Sequence, residues 1–382
     1  MILLFWSSLF LLFYIYLGYP LLIKLLSMKS RPVSSTGGEP PSVSILIAAY
    51  NEEKDIEATL RNKIDLDYPR DRLEIIVVSD ESTDRTDEIV SKVAAGSDVP
   101  IKLVRQQPRQ GKTSGLNLAV PQAKGEIIVF SDANSIYERN ALKYLVRNFA
   151  DPAVGYVTGK MIYANPDGSL VGDGCSSYMK YENWMRSKES KLGSIVGVDG
   201  GVDAIRACLY EQLRADQLPD FVQPLKVVEK GYRVIYEPEA ILKEDALDAA
   251  GSEYTMRVRV TLRALWALLD MRSLLNPLRF GVFSLQLFSH KLLRYFAFVP
   301  LFAVFVLNPF LLENGATYVV ILLGQVLFYS LALLGALYQR RGNSPVYYAL
   351  PYYFTLLNIA SVHAVWRFLK GEKQVVWKPR TG

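Results

Sequence analysis

Three aspartates stand where an apolar run ends or a helical pattern begins. In Glu126-Ile-Ile-Val-Phe-Ser-Asp-Ala-Asn-Ser135, four apolar residues run straight into Asp132 and Asn134. The run 73–79 ends at Asp80, and Asp220 opens a helical pattern that reaches Val227 and Val228. Carboxylates placed this way can do two kinds of chemistry: hold a divalent cation against a diphosphate, or take a proton from a hydroxyl. The two histidines, His290 and His363, lie in the C-terminal third. The middle of the chain therefore has no imidazole for a triad or a zinc site, and a general base there has to be a carboxylate. With only Cys175 and Cys208, there is neither a disulfide framework nor a Cys-rich metal site.

The elements that must position these groups alternate between strand and helix. Ile127, Ile128, Val129 and Phe130 are β-branched or aromatic and show no alternation, the pattern of a strand covered on both faces. Residues 43–49, 73–79 and 101–104 read the same way, with helices through Ile56 and Leu60, through Ile89 and Val93, and over 116–123. Asn51 is expected to cap the first of these helices, with Glu52 and Glu53 in its first turn, and Ser82 or Thr83 the second. Repeated βα units predict an α/β domain with a mostly parallel sheet, whose ligands lie at the carboxyl ends of the strands. Tyr50, Asn51, Asp80 and Asp132 all fall there.

No familiar phosphate loop is present. Gly111-Lys112-Thr113 resembles the end of a P-loop, but Gln106 stands where its first glycine belongs, and no G-x-G-x-x-G follows the first strand. A diphosphate bound here needs a metal or a basic side chain, and Asp132 can supply the first and Lys112 the second, although taken alone Lys112 reads more commonly as a solvated lysine at a helix start.

The 382 residues are 50% hydrophobic with a mean hydropathy of +0.13, an average that hides a polar middle between apolar ends. A net charge of +5 is too balanced to argue for nucleic acid. The run Ile2–Leu26 is long enough to cross a hydrocarbon core of roughly 30 Å, and it lacks the basic leading region and cleavage site of a secretory signal. Lys24 in its last turn and Lys29 and Arg31 after it place the next domain in the cytoplasm, at the inner or plasma membrane. The expected partition is an anchor over 1–27, a linker over 28–41, the α/β domain over 42–250, amphipathic interface helices over 251–294, transmembrane helices over 295–370 and a tail over 371–382. Within it, 277–295 reads as an interfacial amphipathic helix carrying His290, Lys291 and Arg294. Spans are expected over 295–312, 316–338 (closed by Arg340 and Arg341) and 346–366. Three such spans set Arg367, Lys370, Lys373 and Lys378 outside, against the positive-inside rule.

Taken in order, Ala49-Tyr-Asn-Glu52, Val78-Ser-Asp-Glu-Ser-Thr-Asp84, Gly111-Lys-Thr-Ser-Gly-Leu-Asn117 and Ser131-Asp-Ala-Asn134 resemble the successive motifs of the family 2 glycosyltransferases with a GT-A fold. Val198-Asp-Gly-Gly-Val-Asp-Ala-Ile-Arg206 and Pro219-Asp-Phe221 are similar to that family's acceptor loop and base motif, so the resemblance spans residues 43–266. It implies a membrane-integrated, polysaccharide-synthase-like enzyme: a Rossmann-like, mostly parallel GT-A domain between N- and C-terminal transmembrane helices. Donor binding would fall to Ala49, Tyr50, Glu52, Asp80, Lys112 and Asp132, with Asp80 on the base or ribose. Asp132 and Asn134 would hold Mg²⁺ or Mn²⁺. Asp199, Gly200, Gly201 and Arg257 would meet the acceptor, and Asp220, as base, and Arg259 would be catalytic. The implied partners are a nucleotide-sugar donor, expected to be a UDP-sugar, a membrane-associated glycan or lipid-linked acceptor, and the bilayer.

The residues themselves leave some roles open. Asp220 fits a base or a helix N-cap, with Asp199, Asp203 and Asp216 as competing carboxylates. The turn holding Gly197, Gly200 and Gly201 fits an acceptor site or a plain loop. Arg259 and Arg263 share one face of a helix, and for Arg263 a lipid-facing position is as compatible as a catalytic one. The segment Met256-Arg-Val-Arg-Val260 resembles the family's Q-x-x-R-W motif in position: Arg259 matches the arginine, but Met256 replaces the glutamine and Val260 the tryptophan. Trp266 lies roughly 9 Å further along the axis, too far to replace that aromatic, so a single or short addition is expected. Two rival readings remain, a polyprenyl-phosphate glycosyltransferase, whose acceptor needs no strong base, and a non-catalytic membrane component that binds nucleotide sugars.

Overall fold

The computed structural model describes residues 1–30, 33, 39–164, 170–245, 250–339 and 346–375. The expectations that fall on Arg31, Arg340, Arg341, Lys378 and much of the 28–41 linker lie outside the described residues.

The core is one eight-stranded sheet in the order β3-β2-β1-β4-β7-β6-β8-β5. Its first half, β1 (Val43–Ala49), β2 (Leu73–Ser79), β3 (Ile101–Arg105) and β4 (Ile127–Asp132), is parallel throughout. The second half is mixed. β7 (Asp203–Arg206) runs antiparallel to both β4 and β6 (Val154–Ala164), β8 (Arg233–Asp245) runs parallel to β6, and the short β5 (Ile136–Tyr137) pairs antiparallel with β8. All seven residues of β1 are buried, because layers of helix cover both faces. Ile45 and Ile47 pack with Ile56, Leu60 and Val90, while Leu46 on the other face packs with Leu116, Phe221 and Leu225. Each fully buried aliphatic side chain of this kind contributes about 1.5–3 kcal/mol.

In chain order the first helices are α1 (Ile2–Leu26, loosened to a π-turn at Tyr14–Gly18), α2 (Ile56–Ile64), α3 (Thr86–Ala95), α4 (Lys112–Ala119), α5 (Ala141–Arg147), α6 (Leu170–Leu192), α7 (Pro219–Glu229) and α8 (Ala250–Asp270). After them come α9 (Phe298–Leu307), α10 (Ala316–Gln339) and α11 (Ala349–Leu369). Because β1 sends its chain to β2 on one side while β4 lies on the other, a crevice opens between their carboxyl ends, where Ala48 pairs with Asp132.

Several helix boundaries differ from expectation. Asn51 does not cap α2. It turns left-handed (φ 55°), and its Oδ1 accepts from the Thr83 amide at 2.8 Å. Ser82 Oγ accepts from the Asn51 amide at 3.1 Å, and Glu53 accepts from the Arg85 amide at 3.2 Å. These polar side chains tie the loops after β1 and β2 to each other, so α2 starts only at Ile56, and Asp84 takes the Thr86 amide at 3.0 Å at the head of α3. α4 begins at Lys112 rather than 116, with Gly111 at φ 89° ahead of it.

The 277–295 stretch is not one amphipathic helix. Gly281 (φ 53°) breaks it, Leu287–Leu292 is wound as a π-helix, and His290 is buried within the protein. The 295–312 segment is helical only over Phe298–Leu307 before a 3₁₀ stretch, Asn308–Asn314. Among the described residues two helices, Ile2–Leu26 and Ala316–Tyr338, are long and apolar enough to cross a membrane; Val282–Tyr295 with Phe298–Asn314, bent by 52°, passes the same test only as a pair. α11 packs instead along α8, with Ala360 and Ala364 against Val258 and Leu262.

Candidate active site

A cavity of about 680 Å³ opens at the crevice and brings together Ala48, Glu52, Lys112, Asp132, Asn134 and Asp220. Asp132 ends β4, and its Oδ1 accepts from Lys112 Nζ at 2.5 Å. Burial pushes the Lys112 ammonium down, but the nearby Asp132 and Asp220 outweigh it and raise its pKa. Lys112 is thus not a solvated surface lysine but a charge held over the crevice.

The loop after Asp132 is pinned from below. Thr59 Oγ1 donates to the Ala133 carbonyl at 2.6 Å, and Lys63 Nζ donates to the Ser135 carbonyl at 2.5 Å. Ser135 Oγ in turn donates to Glu244 Oε1 at 3.0 Å. Lys63 is fully buried over the Tyr137 ring, 3.6 Å from its centroid, and burial drives its pKa well down against the upward pull of Glu244. Neither Lys63 nor Glu244 stands out in the sequence; a lysine on a helix face and an acid near a strand end are the commonest of surface residues.

Asp80 is 2% exposed and turned toward the 106–111 loop. It accepts from Gln106 Nε2 at 2.5 Å, the Gln110 amide at 2.9 Å and the Gly111 amide at 3.0 Å. Arg109 from the same loop stacks over Tyr50, 3.4 Å from the ring centroid, and the Ala49 carbonyl accepts from the Asp80 amide at 2.9 Å. Ala49, Tyr50 and Asp80 therefore form one cluster beside Lys112.

Asp220 is the second residue of α7, and Leu218, not Asp220, stands at the N-cap. Its Oδ1 is buried without a hydrogen-bond partner. Its other oxygen rests on Gly200, where a β-carbon would stand 2.5 Å from Oδ2; with φ at +85°, Gly200 is required on both counts. Burial raises the Asp220 pKa, Asp132 adds to the rise, and Lys112 and Arg263 oppose it. The competing carboxylates are engaged elsewhere. Asp199 is paired with Arg186 and accepts from the Met161 amide at 3.1 Å. Asp203 accepts from the Tyr156 hydroxyl at 2.9 Å, the Thr158 hydroxyl and the Gly200 amide at 3.0 Å. Asp216 is bound to Lys373 at 2.6 Å and Arg214 at 3.2 Å.

On α8, Arg259 and Val260 line the cavity. Arg263 does not face lipid: it is buried, donates to the Gln217 carbonyl and to Thr113 Oγ1 at 3.3 Å, and burial lowers its pKa to about 10. Arg257 is paired with Glu253 at 2.7 Å and donates to the Tyr353 hydroxyl at 2.7 Å. Trp266 lies away from the cavity, its ring against Phe368 and its Nε1 donating to the Glu372 carbonyl at 2.8 Å. Gly201 holds its place through its carbonyl, which accepts from the Tyr137 hydroxyl at 2.7 Å.

The cavity does have an imidazole. His290 lines it, 2.7 Å from Glu189 and 3.2 Å from Glu182 on α6, with Lys291 and Arg294 beside it. The seven-residue interval between the two glutamates was visible in the sequence, but the distant segment that answers it was not. Among the described residues no group of three His, Cys, Asp or Glu is arranged to hold a metal. A hard cation that keeps water and substrate phosphates as ligands needs only one or two protein groups, and Asp132 with Asn134 at the cavity wall fits that demand.

A parallel half, a carboxylate at the switch crevice and a mixed half that brings up a second carboxylate give the chain the fold of the GT-A class. The likeness extends over the whole chain in a mannosyltransferase from Pyrobaculum calidifontis solved with GDP-Man and Mn²⁺, at a TM-score of 0.73 and 24% identity, covering 97% of this chain and 99% of that one. Residues 44–195 match the family Glycosyl transferase family 2, and the chain carries a family 2 glycosyltransferase domain. It is 36% identical over 218 residues to the probable glycosyltransferase YdaM of Bacillus subtilis, covering 54% of this chain and 51% of that protein. It is 28% identical over 226 residues to a poly-beta-1,6-N-acetyl-D-glucosamine synthase of Staphylococcus aureus, covering 58% of this chain and 54% of that one. The chain thus spans about half the length of the curated relatives it matches.

Proposed function

We propose that the protein is a membrane-bound, metal-dependent inverting glycosyltransferase that moves a sugar from a nucleoside-diphosphate donor to a membrane-associated saccharide or lipid-linked acceptor. The observation that carries this reading is one cavity holding both the Asp132–Lys112 pair and the unpartnered oxygen of Asp220. The first suits a diphosphate and the second an acceptor hydroxyl. The family resemblance favours a UDP-sugar as donor, and the polysaccharide-forming relative favours a glycan or glycolipid product.

In this scheme the donor diphosphate lies across Asp132, Asn134 and Lys112, with Ala49, Tyr50, Glu52 and Asp80 shaping the nucleoside end. Asp80 acts there by folding the 106–111 loop. A divalent cation bound at Asp132 and Asn134 would neutralise charge on the departing diphosphate. Asp220 takes the proton of the acceptor hydroxyl as that oxygen bonds to the anomeric carbon, while the bond from that carbon to the donor phosphate breaks and the nucleoside diphosphate leaves. Lys112 meets the charge that develops on the leaving group, and Arg259 stands on the same wall. Gly200 and Gly201 let the acceptor approach closely. Asp199 and Arg257, saturated by Arg186 and Glu253, shape the acceptor side rather than bond to it.

The test is nucleoside-diphosphate release by the purified full-length protein from UDP-N-acetylglucosamine, UDP-glucose and GDP-mannose, with and without Mn²⁺. Metal-dependent release from one donor is expected, abolished in Asp132→Ala. Metal-independent release, or binding without release from any of the three, would overturn the reading.

A further inference from the structure

The cavity does not stop at the catalytic carboxylates. It continues between α6, the π-wound 287–292 turn and α11, and there the charge changes character. Arg186, Arg257 and Arg294 enter this arm with carboxylates of their own, on Asp199, Glu253 and Glu182. Lys291 does not have one to itself. Its nearest carboxylate oxygen, on Glu182, is 3.9 Å away and already answers Arg294 and His290. No hydrogen bond reaches the Lys291 ammonium among the described residues, although the side chain is only 15% exposed. The ammonium lies against Gly197, where a β-carbon would stand 2.5 Å from Lys291 Nζ. A buried ammonium short of partners at a cavity wall is built for an anion.

Two further observations say which anion. The same turn is tied to α1, Ser289 Oγ lying 2.8 Å from the Tyr14 hydroxyl, while Tyr19 donates to Glu189, the carboxylate that meets His290. Tyr19 is five residues before Lys24, about 8 Å along the helix axis, so Lys291 sits near the level where a spanning α1 would leave the hydrocarbon core. Lipid phosphates lie at that level. The same arm carries an apolar wall of Tyr16, Leu350, Phe354 and Leu357, with Asn358 and Ser361 as its polar members. Gly197 is three residues from Gly200, the seat of Asp220, a span of at most ~11 Å along the chain.

We propose that this arm binds a phosphate-bearing, lipid-linked saccharide, its phosphate on Lys291, its tail along Tyr16, Leu350, Phe354 and Leu357, and a sugar hydroxyl at Asp220. The inference rests on the transferase reading and names its acceptor. The phosphate is an anchor and is not consumed: the hydroxyl loses its proton to Asp220 and gains the sugar, and the lipid–phosphate bond stays intact.

The experiment uses the full chain in phosphatidylcholine nanodiscs and follows binding of farnesyl-diphosphate-linked N-acetylglucosamine against the same sugar on uncharged farnesol. The parent should prefer the phosphorylated lipid by roughly tenfold or more, the scale of one charge-assisted hydrogen bond. Lys291→Gln should erase that preference and Lys291→Arg should keep it. Nucleotide affinity, measured alongside with UDP and GDP, reports whether each variant is folded and whether the transferase reading itself stands. Equal binding of both lipids by the parent, or an intact preference in Lys291→Gln, overturns the proposal. Displacement by inorganic phosphate at the same concentration would make it a site for free phosphate, and equal competition by phosphatidylglycerol a general lipid headgroup site; each also overturns it.

Discussion

Asp220 is a carboxylate whose surroundings work against its charge. It lies on the backbone of Gly200, one of its oxygens has no donor, and burial raises its pKa beyond what Lys112 and Arg263 restore. A base of this kind holds a proton more strongly than an exposed aspartate, so the sign of its pH effect is fixed: activity should climb as pH rises through a pKa above the usual ~3.9. Asp220→Asn should lower turnover by roughly 10²-fold or more. Donor affinity should stay near that of the parent, since the residue has no part in holding the diphosphate. Rates measured across pH with a fixed donor check both, and turnover within a few-fold of the parent would remove Asp220 from the role. That Asp220, Asp132 and Lys112 were legible in the sequence follows from their positions, at strand and helix ends where apolar runs meet charge. Lys63, Glu244 and Lys291 were not, because their significance lies only in what they touch.

At the scale of elements, the 132–135 loop depends on α2. Lys63 is a costly residue to bury, and its ammonium serves the Ser135 carbonyl while Thr59 serves that of Ala133. Lys63→Met should free the loop and raise the Mn²⁺ concentration for half-maximal donor cleavage by roughly tenfold or more, the usual cost of losing an outer partner of a metal site. Nucleotide affinity without metal should hardly change, which separates loosened positioning from general unfolding; an unchanged Mn²⁺ requirement would mean that the other contacts suffice.

β7 makes a second prediction at this scale. Burial raises the Asp203 carboxyl to about 7. A folded pKa above the unfolded value of ~3.9 means the native state binds the proton more tightly, so its stabilisation is full below about pH 4 and is lost as pH rises through about 7. The thermal midpoint of the parent in detergent should fall across that window, and Asp203→Asn should flatten the fall. A parallel decline in both proteins would rule Asp203 out as its source. The strands were legible because a doubly covered strand is a run of apolar residues, whichever neighbour it pairs with. Helix starts were not: Asn51, Ser82 and Glu53 have the composition of caps, yet they spend their hydrogen bonds between two loops that only the tertiary fold brings together.

For the whole molecule, the packing of α11 constrains how the apolar ends would thread a bilayer. Tyr254 meets His363 at 3.0 Å, Arg257 meets Tyr353, Trp266 reaches the Glu372 carbonyl, and Lys373 is bound to Asp216. α8 packs with α11 and comes after β8 in the chain, so residues 353–373 are expected on the same side as the sheet. Between α8 and α11 the chain must then cross an even number of times. If the Ala316–Tyr338 helix, long and apolar enough to cross, is one crossing, the bent pair Val282–Tyr295 and Phe298–Asn314 is expected to be the other rather than a re-entrant loop. The far ends agree: Phe5 packs with Val304, Leu311 and Tyr318, gathering the start of α1 and the turn between the two C-terminal crossings at one level. On this threading the positive charges of Arg367, Lys370 and Lys373 fall inside, and the conflict raised by three C-terminal spans disappears. Labelling with a membrane-impermeant maleimide decides it. The exposed native Cys208 should react only from the cytoplasmic side, as should Val375→Cys in a Cys208→Ser background, whereas Glu313→Cys in that background should react only from outside. Labelling of Glu313→Cys from the cytoplasm would turn the bent pair into a re-entrant loop and leave α10 crossing with no return, which the seat of α11 on α8 forbids.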